Sequence, residues 1–295
     1  MADHQHVIER DERSLAIALG ITLIIFFAEA AGGILSNSLA LLADAVHMFT
    51  DVVALSLSWF AVWLTTRQAP AQKTFGYYRM EILVALFNGV MLIVVSLFII
   101  FEAIQRFQSP PEVKSGLMLA VALVGLCANV GSALVLLGKV HESINVRAAF
   151  LHVISDAGAS MGAIAAALVI LFTGLFLADP LISMLIAALI VYNAWKLVQE
   201  AVEVLMEAAP SHIGLGEVEQ TLLGVQGVKS VHDLHVWTVT SGLVAMSGHV
   251  VVEPGTSKQE ILERCCSALE KRFHLNHCTL QLEIEGSQTH EAHFW

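Results

Sequence analysis

Residues 39–65 read LALLADAVHMFTDVVALSLSWFAVWLT, a long apolar run that carries Asp44, His47 and Asp51 in its first half. A run of about 20 mostly apolar residues is enough to cross a bilayer as a helix. An ionisable side chain at that depth costs about 2.5–3.5 kcal/mol on insertion scales, so each one needs a reason to be there. His47 and Asp51 are four residues apart, which puts both on one helix face about one turn from each other. A later run, Leu151-His152-Val153-Ile154-Ser155-Asp156, repeats the spacing with His152 and Asp156. Two such faces turned toward each other offer two imidazole nitrogens and two carboxylate oxygens. That is a complete tetrahedral shell of the kind Zn²⁺ accepts, and without thiolates it binds a borderline ion reversibly. The competing reading, an internal His–Asp hydrogen bond in each helix, explains one pair but not the recurrence. Asp44 shares the face of His47, and its role stays open between leading ions through, accepting a proton and closing an interhelical hydrogen bond. Glu29, Asn88, Glu102 and Asn129 are lone polar groups in or near spans and read as helix–helix or interfacial contacts.

Outward from these runs, the whole chain is built for lipid. Of its 295 residues, 56% are hydrophobic and only 14% charged, with a mean hydropathy of +0.72. Soluble domains carry roughly a quarter of their residues as charges. Six spans are expected, near Leu15–Leu35, Leu39–Thr65, Met80–Ala103, Gly116–Leu137, Val146–Leu175 and Leu181–Leu205. The first run is too long for a signal-peptide core and reads as a retained anchor. Arg10, Arg13, Arg67, Lys73, Arg79, Lys139 and Arg147 flank the spans on one side, against Arg106 and Lys114 on the other. The positive-inside rule therefore puts both termini in the cytoplasm.

The expected organisation is a cytoplasmic N-terminal segment (1–13), a six-helix transport domain (14–208), a cytoplasmic domain (209–286) and a short His-containing tail (287–295). After Pro210 the periodicity changes. Glu217–Gly224 reads as a helix, Val228–Thr240 and Leu243–Val252 as strands, Ser257–Phe273 as an amphipathic helix and Thr279–Glu285 as a strand. That order suits a small ferredoxin-like α+β layer. From Glu207 onward there are eleven acids against five bases, and the whole chain carries −11. This balance suits attraction of cations, although an acidic solvated face is the commoner reason for it, and it argues against nucleic acid as a partner. The cysteines, Cys127, Cys265, Cys266 and Cys278, form no Cys-x-x-Cys pair and no disulfide framework, which fits a reducing compartment.

These segments resemble the cation diffusion facilitators, the zinc, cadmium and cobalt efflux transporters. The resemblance is carried by Asn37–Asp51 (NSLALLADAVHMFTD), Thr74–Leu83 (TFGYYRMEIL), Asn145–Asp156 (NVRAAFLHVISD) and Val231–Trp237 (VHDLHVW), with HVVV from His249 and HCTLQLE from His277 following in order. The resemblance implies a homodimer in the bacterial inner membrane that exports metal from the cytoplasm against protons. It implies His47, Asp51, His152 and Asp156 as the transport site, in the manner of the zinc-preferring members. It further implies Zn²⁺ bound in the cytoplasmic domain by His232, His249 and Glu283, with His235 as a weaker candidate. Three residues apart on a strand, His232 and His235 point to opposite faces unless a bulge intervenes. Arg79 and Glu207 match a charged pair of the family. The loop site that some relatives build between spans two and three is expected to be missing, because RQAPAQK at Arg67–Lys73 supplies neither Asp nor His. The same four membrane ligands must be deprotonated to bind metal, so proton uptake can drive release, and no Gly-x-x-x-x-Gly-Lys loop for a nucleotide occurs. An enzyme is not expected, since neither His-Glu-x-x-His nor Gly-x-Ser-x-Gly is found. A membrane-anchored metal sensor or metalloenzyme is the alternative reading, but a sensor needs no ligands at bilayer depth.

Overall fold

In the computed structural model, residues 20, 23–65, 71–137, 144–240, 242–275 and 277–284 are described. The expectations for the N-terminal segment (1–13), for most of RQAPAQK and for the His-containing tail (287–295) fall outside those residues. The chain divides into two units, one of Met1–Phe60 with Val84–Val198 and one of Ala61–Leu83 with Gln199–Trp295.

The first unit is helical. It contains α1 (Leu23–Ser36), α4 (Ser115–Leu137), α5 (Ile144–Thr173) and the larger parts of α2 (Leu39–Thr65), α3 (Arg79–Gln108) and α6 (Ala178–Leu205), whose remaining turns are counted in the second unit. Among the described residues, four helices are long and apolar enough to cross a membrane, in α3, α4, α5 and α6, while the apolar stretches described in α1 and α2 are shorter. Alanines fill much of the core, beside larger residues such as Leu41, Met118 and Ile190. Ala40, Ala43, Ala122, Ala163, Ala167 and Ala187 are fully buried, whereas Phe98, Leu134 and Phe172 stand exposed. Large apolar residues outside and small ones between helices is the arrangement lipid favours, because packing rather than hydrophobic burial holds such helices together. A Cβ at Gly32 would come within 2.6 Å of Val121 Cγ2, so α1 and α4 approach closely only because that position is glycine.

The start of α2 is held from elsewhere in the unit. Asn37, at φ 60°, ends α1 in the left-handed region that Asn tolerates. The carboxylate of Asp179, fully buried in the first turn of α6, accepts from Ser38 Oγ (2.6 Å), Leu39 N (2.8 Å) and Ala40 N (3.2 Å). Ser38 Oγ in turn accepts from Leu41 N at 3.3 Å. Arg106 Nη1 lies 3.8 Å from Asp179 Oδ2 and donates to Asn37 O at 2.8 Å. The amides left open at a helix N-terminus are thus met by a negative charge, which the helix dipole also favours. Helix α3 runs past its expected end at Ala103 to Gln108, supported by the Glu102–Arg106 pair one turn apart.

The second unit contains α7 (Leu215–Leu223), β1 (Val228–Thr240), β2 (Leu243–Val252), α8 (Lys258–Phe273) and β3 (His277–Ile284). This is the helix–strand–strand–helix–strand order read from the sequence. The sheet runs β1-β2-β3, with β1 and β2 antiparallel and β2 and β3 parallel. Gly242, at φ 77°, turns the β1–β2 hairpin. Ser257 caps α8 by accepting from Glu260 N, the serine half of a Ser-x-x-Glu capping box. Ile261, Cys265 and Leu269 recur every fourth residue along α8 and bury against Val236, Met246 and Val250 of the sheet. In the same unit Arg79 Nη2 donates to Glu207 Oε1 at 2.8 Å. Both side chains are well exposed there, so the pair is worth at most about 1 kcal/mol.

Candidate metal centres

In the first unit, α2 carries Asp44, His47 and Asp51, and α5 carries His152 and Asp156. His47 Nε2 lies 3.7 Å from Asp156 Oδ1, so the two helices meet at one residue of each spaced pair. Asp156 is only 6% exposed and Asp44 is buried as well. The helical backbone is continuous through Asp51 and His152, which keeps each on the face of its spaced partner; the side chains of these two lie outside the described residues.

The structure adds a residue that the sequence reading passed over as a helix–helix contact. Glu29 of α1 is 1% exposed. Its carboxyl lies beside that of Asp44 and within electrostatic reach of Asp156, and among the described residues no hydrogen-bond donor meets either oxygen. A Cβ at Gly125 would sit 2.3 Å from Glu29 Oε1 and 3.4 Å from Ser160 Oγ. Glycine at 125 therefore makes room for this carboxyl between α1, α4 and α5. One helix interior thus gathers three carboxyls and an imidazole in an otherwise alanine-rich core. The available signal was an acid inside an apolar run, which by itself does not say what it faces.

In the second unit, His232, His249 and Glu283 come together, each offering a ligand atom within 4.8 Å of the others. The sheet register does this. His232 of β1 sits opposite His249 of β2, and His249 pairs with Gln281 of β3, two residues before Glu283 on the same face. His249 Nδ1 is 2.7 Å from Glu283 Oε1, and His232 Nε2 is 3.3 Å from Oε2. Gln281 Nε2 donates to Oε1 at 3.0 Å. Burial pushes the Glu283 carboxyl up, but hydrogen bonds from His249, Gln281 and His232 outweigh it and hold the group below the usual carboxylate range. Those hydrogen bonds favour the anionic form, the form in which a carboxylate can hold a cation.

His235 does not join the three. The pairing of β1 with β2 breaks between His232 and His235, and Asp233 in that break has φ 50°, so the bulge needed to reset the strand is present. His235 Nε2 instead lies 3.0 Å from Asp233 Oδ1, and Asp233 Oδ2 is 3.8 Å from His249 Nε2. The hydrogen bond with His235 holds the Asp233 carboxyl below its ordinary value. Asp233 is a neighbour of the centre that the strand pattern alone did not single out.

Residues 15–206 match the cation efflux transmembrane domain, and residues 210–285 match the cytoplasmic domain of cation efflux proteins. The chain belongs to the cation efflux family. It is similar to the metal cation efflux system protein CzcD of Cupriavidus metallidurans, at 40% identity over 96% of this chain and 90% of that one. The cadmium, cobalt and zinc/H(+)-K(+) antiporter of Bacillus subtilis is 39% identical, covering 96% of this chain and 92% of its own. The zinc transporter ZitB of Escherichia coli is 38% identical, covering 97% and 91%. A solved structure described as the metal-bound C-terminal domain of the CzcD transporter from Cuprividus metallidurans aligns at 39% identity with 24% of this chain and 99% of its own. Its TM-score is 0.23, and at that score the likeness decides nothing about the fold. Membership makes this cation efflux protein a multi-pass membrane transporter of metal ions, not an enzyme, with a second domain of the family's cytoplasmic, dimerising type.

Proposed function

We propose that this member of the cation efflux family is a zinc exporter that exchanges Zn²⁺ for protons at His47, Asp51, His152 and Asp156. The observation that carries the reading is the 3.7 Å approach of His47 to Asp156 across α2 and α5. Each of those residues belongs to a His-x-x-x-Asp pair, so the approach of one from each brings both pairs to the same level. Two imidazoles and two carboxylates suit a tetrahedral, borderline ion. Zinc, cadmium and cobalt all appear in the names of the relatives, and the all-N/O shell is the reason zinc is put first, with cadmium or cobalt as further cargo.

The transport domain has six spans, α1 to α6, with both termini in the cytoplasm of a bacterial inner membrane. The second domain is a ferredoxin-like layer that pairs two chains into a homodimer and holds Zn²⁺ at His232, His249 and Glu283. In the inward-facing state the four membrane ligands are deprotonated and take the ion. In the outward-facing state protons reach the same groups, neutralise the carboxylates and convert the imidazoles to cations that no longer bind metal. Return with protons bound completes an exchange that needs no nucleotide. Alternation of a midplane site between two openings is the general scheme for such carriers. Glu29 and Asp44 extend the carboxylate lining from the site toward α1 and act as a staging surface for the cation.

Zinc flux into proteoliposomes tests the reading. The parent protein is expected to transport, and to respond to an imposed pH gradient, while His47→Ala and Asp156→Ala do not transport. Equal flux in all three proteins removes the four-ligand site, and indifference to the gradient removes proton exchange.

A further inference from the structure

We propose that Cys266 and Cys278 are an oxidisable thiol pair, a site of reversible disulfide formation between α8 and β3 in the cytoplasmic domain. Their sulfurs lie 3.0 Å apart. A disulfide bond is about 2.05 Å long, so an approach of about one ångström closes the gap. Both residues are half-buried, which leaves them within reach of a small oxidant. The other two cysteines are placed differently. Cys265 is fully buried in the apolar stripe of α8, beside Ile261 and Leu269, and the following residue is turned by about 100° around the helix. Cys127 is exposed on α4.

Position on β3 separates this pair from the metal centre. Cys278, Leu280 and Leu282 pack into the core beneath the helices. Glu283 meets His249 across the strands instead, and Gln281 donates to Glu283. The bond therefore staples the helix layer to the sheet and leaves the histidine side of the strand as it is.

Glutathione disulfide serves as the oxidant. The thiolate of one cysteine attacks one glutathione sulfur, breaking the S–S bond and releasing one glutathione thiol. The second thiolate attacks the protein sulfur of the mixed disulfide and releases the other. The two protein thiols lose two electrons and two protons, and one glutathione disulfide becomes two glutathione thiols. Burial and the contact with Cys266 push the Cys278 thiol up to about 12. It is protonated at neutral pH, so closure is slow there and quickens as the solution is made alkaline.

The test uses the full-length protein in detergent micelles, equilibrated with glutathione disulfide, then alkylated under denaturing conditions and mapped by peptide mass. The expected product is one chain lighter by two hydrogens, in which the peptide bearing Cys266 is joined to the peptide bearing Cys278. Dithiothreitol reverses it, its rate of formation rises with pH, and Cys127 and Cys265 remain alkylatable. Cys266→Ser and Cys278→Ser abolish the joined peptide. Three results overturn the proposal: four alkylated cysteines after equilibration, glutathione adducts without ring closure, or a bridge that uses Cys265 or a second chain. Mapping of the parent protein decides among them even where a variant fails to fold.

Discussion

The two candidate metal centres of this chain are assembled by opposite means. The membrane centre takes its residues from two helices, and within each helix the pair is four positions apart, one turn on the same face. The cytoplasmic centre takes one residue from each of three strands, and the register of those strands makes them neighbours. A helix writes its ligand set locally, whereas a sheet writes it across long separations. The settings differ as well. Asp156 and Glu29 lie in an alanine-rich interior, while His232 and His249 are part-exposed around a single buried carboxylate. A carboxylate in the first setting is expensive unless a cation or a proton accompanies it. In the second setting the hydrogen bonds already present keep it charged.

The sharpest way to break this comparison is to remove one ligand from each centre. Asp156→Ala is expected to lower zinc flux in proteoliposomes by at least about 100-fold, since losing a ligand exceeds the 10–100-fold typical of its outer neighbours. Glu283→Ala is expected to remove metal binding at the cytoplasmic centre, read by equilibrium dialysis, while leaving a measurable flux. If Glu283→Ala stops transport as completely as Asp156→Ala, the two centres are not separable in this way.

Next in size is the support of α2. Asp179→Ala strands Ser38 Oγ and the amides of Leu39 and Ala40 in a buried site. The expected cost is about 3 kcal/mol, from lost caps and unmet buried donors. It is read as a lower melting temperature in detergent, together with weaker transport because the ligand helix loses its anchor. Glu29→Gln removes one carboxylate from the lining and leaves the shape nearly unchanged. About a tenfold rise in the zinc concentration for half-maximal flux is expected, on the scale of an outer-shell loss, and an unchanged value would restore Glu29 to a packing role.

The smallest effect concerns protons at the cytoplasmic centre. Glu283 has a folded-state pKa held below its ordinary 4.5. Its contribution to the stability of the metal-free protein is therefore fully present above that ordinary value and is lost as pH falls through the folded one. Melting of the metal-free protein in a descending pH series is expected to show that loss, and Glu283→Gln is expected to flatten it.

Much of the fold was readable in advance because its signals are local. Apolar length marked the helices, and alternation marked Val228–Thr240 and Leu243–Val252 with the bounds that the structure has. The His-x-x-x-Asp spacing was readable for the same reason. Glu29 was not, since an acid in an apolar run looks alike whether it faces a neighbouring helix or an ion path. Its meaning depends on Gly125, almost a hundred positions away. His235 shows the converse. Strand geometry said that it and His232 could share a face only through a bulge, and the bulge exists, yet it turns His235 toward Asp233 instead.

By itself the sequence determined that this chain enters the membrane, that its proposed transport ligands come in two helical pairs, and that an α+β domain follows. Periodicity and the cost of charge in lipid act over one or two turns, so no distant residue was needed to read them. Only the tertiary structure decided which carboxyls share the membrane cluster, which histidines meet Glu283 and which two thiols touch. Those contacts join residues that no helical or strand period relates, and packing and register alone bring them within reach.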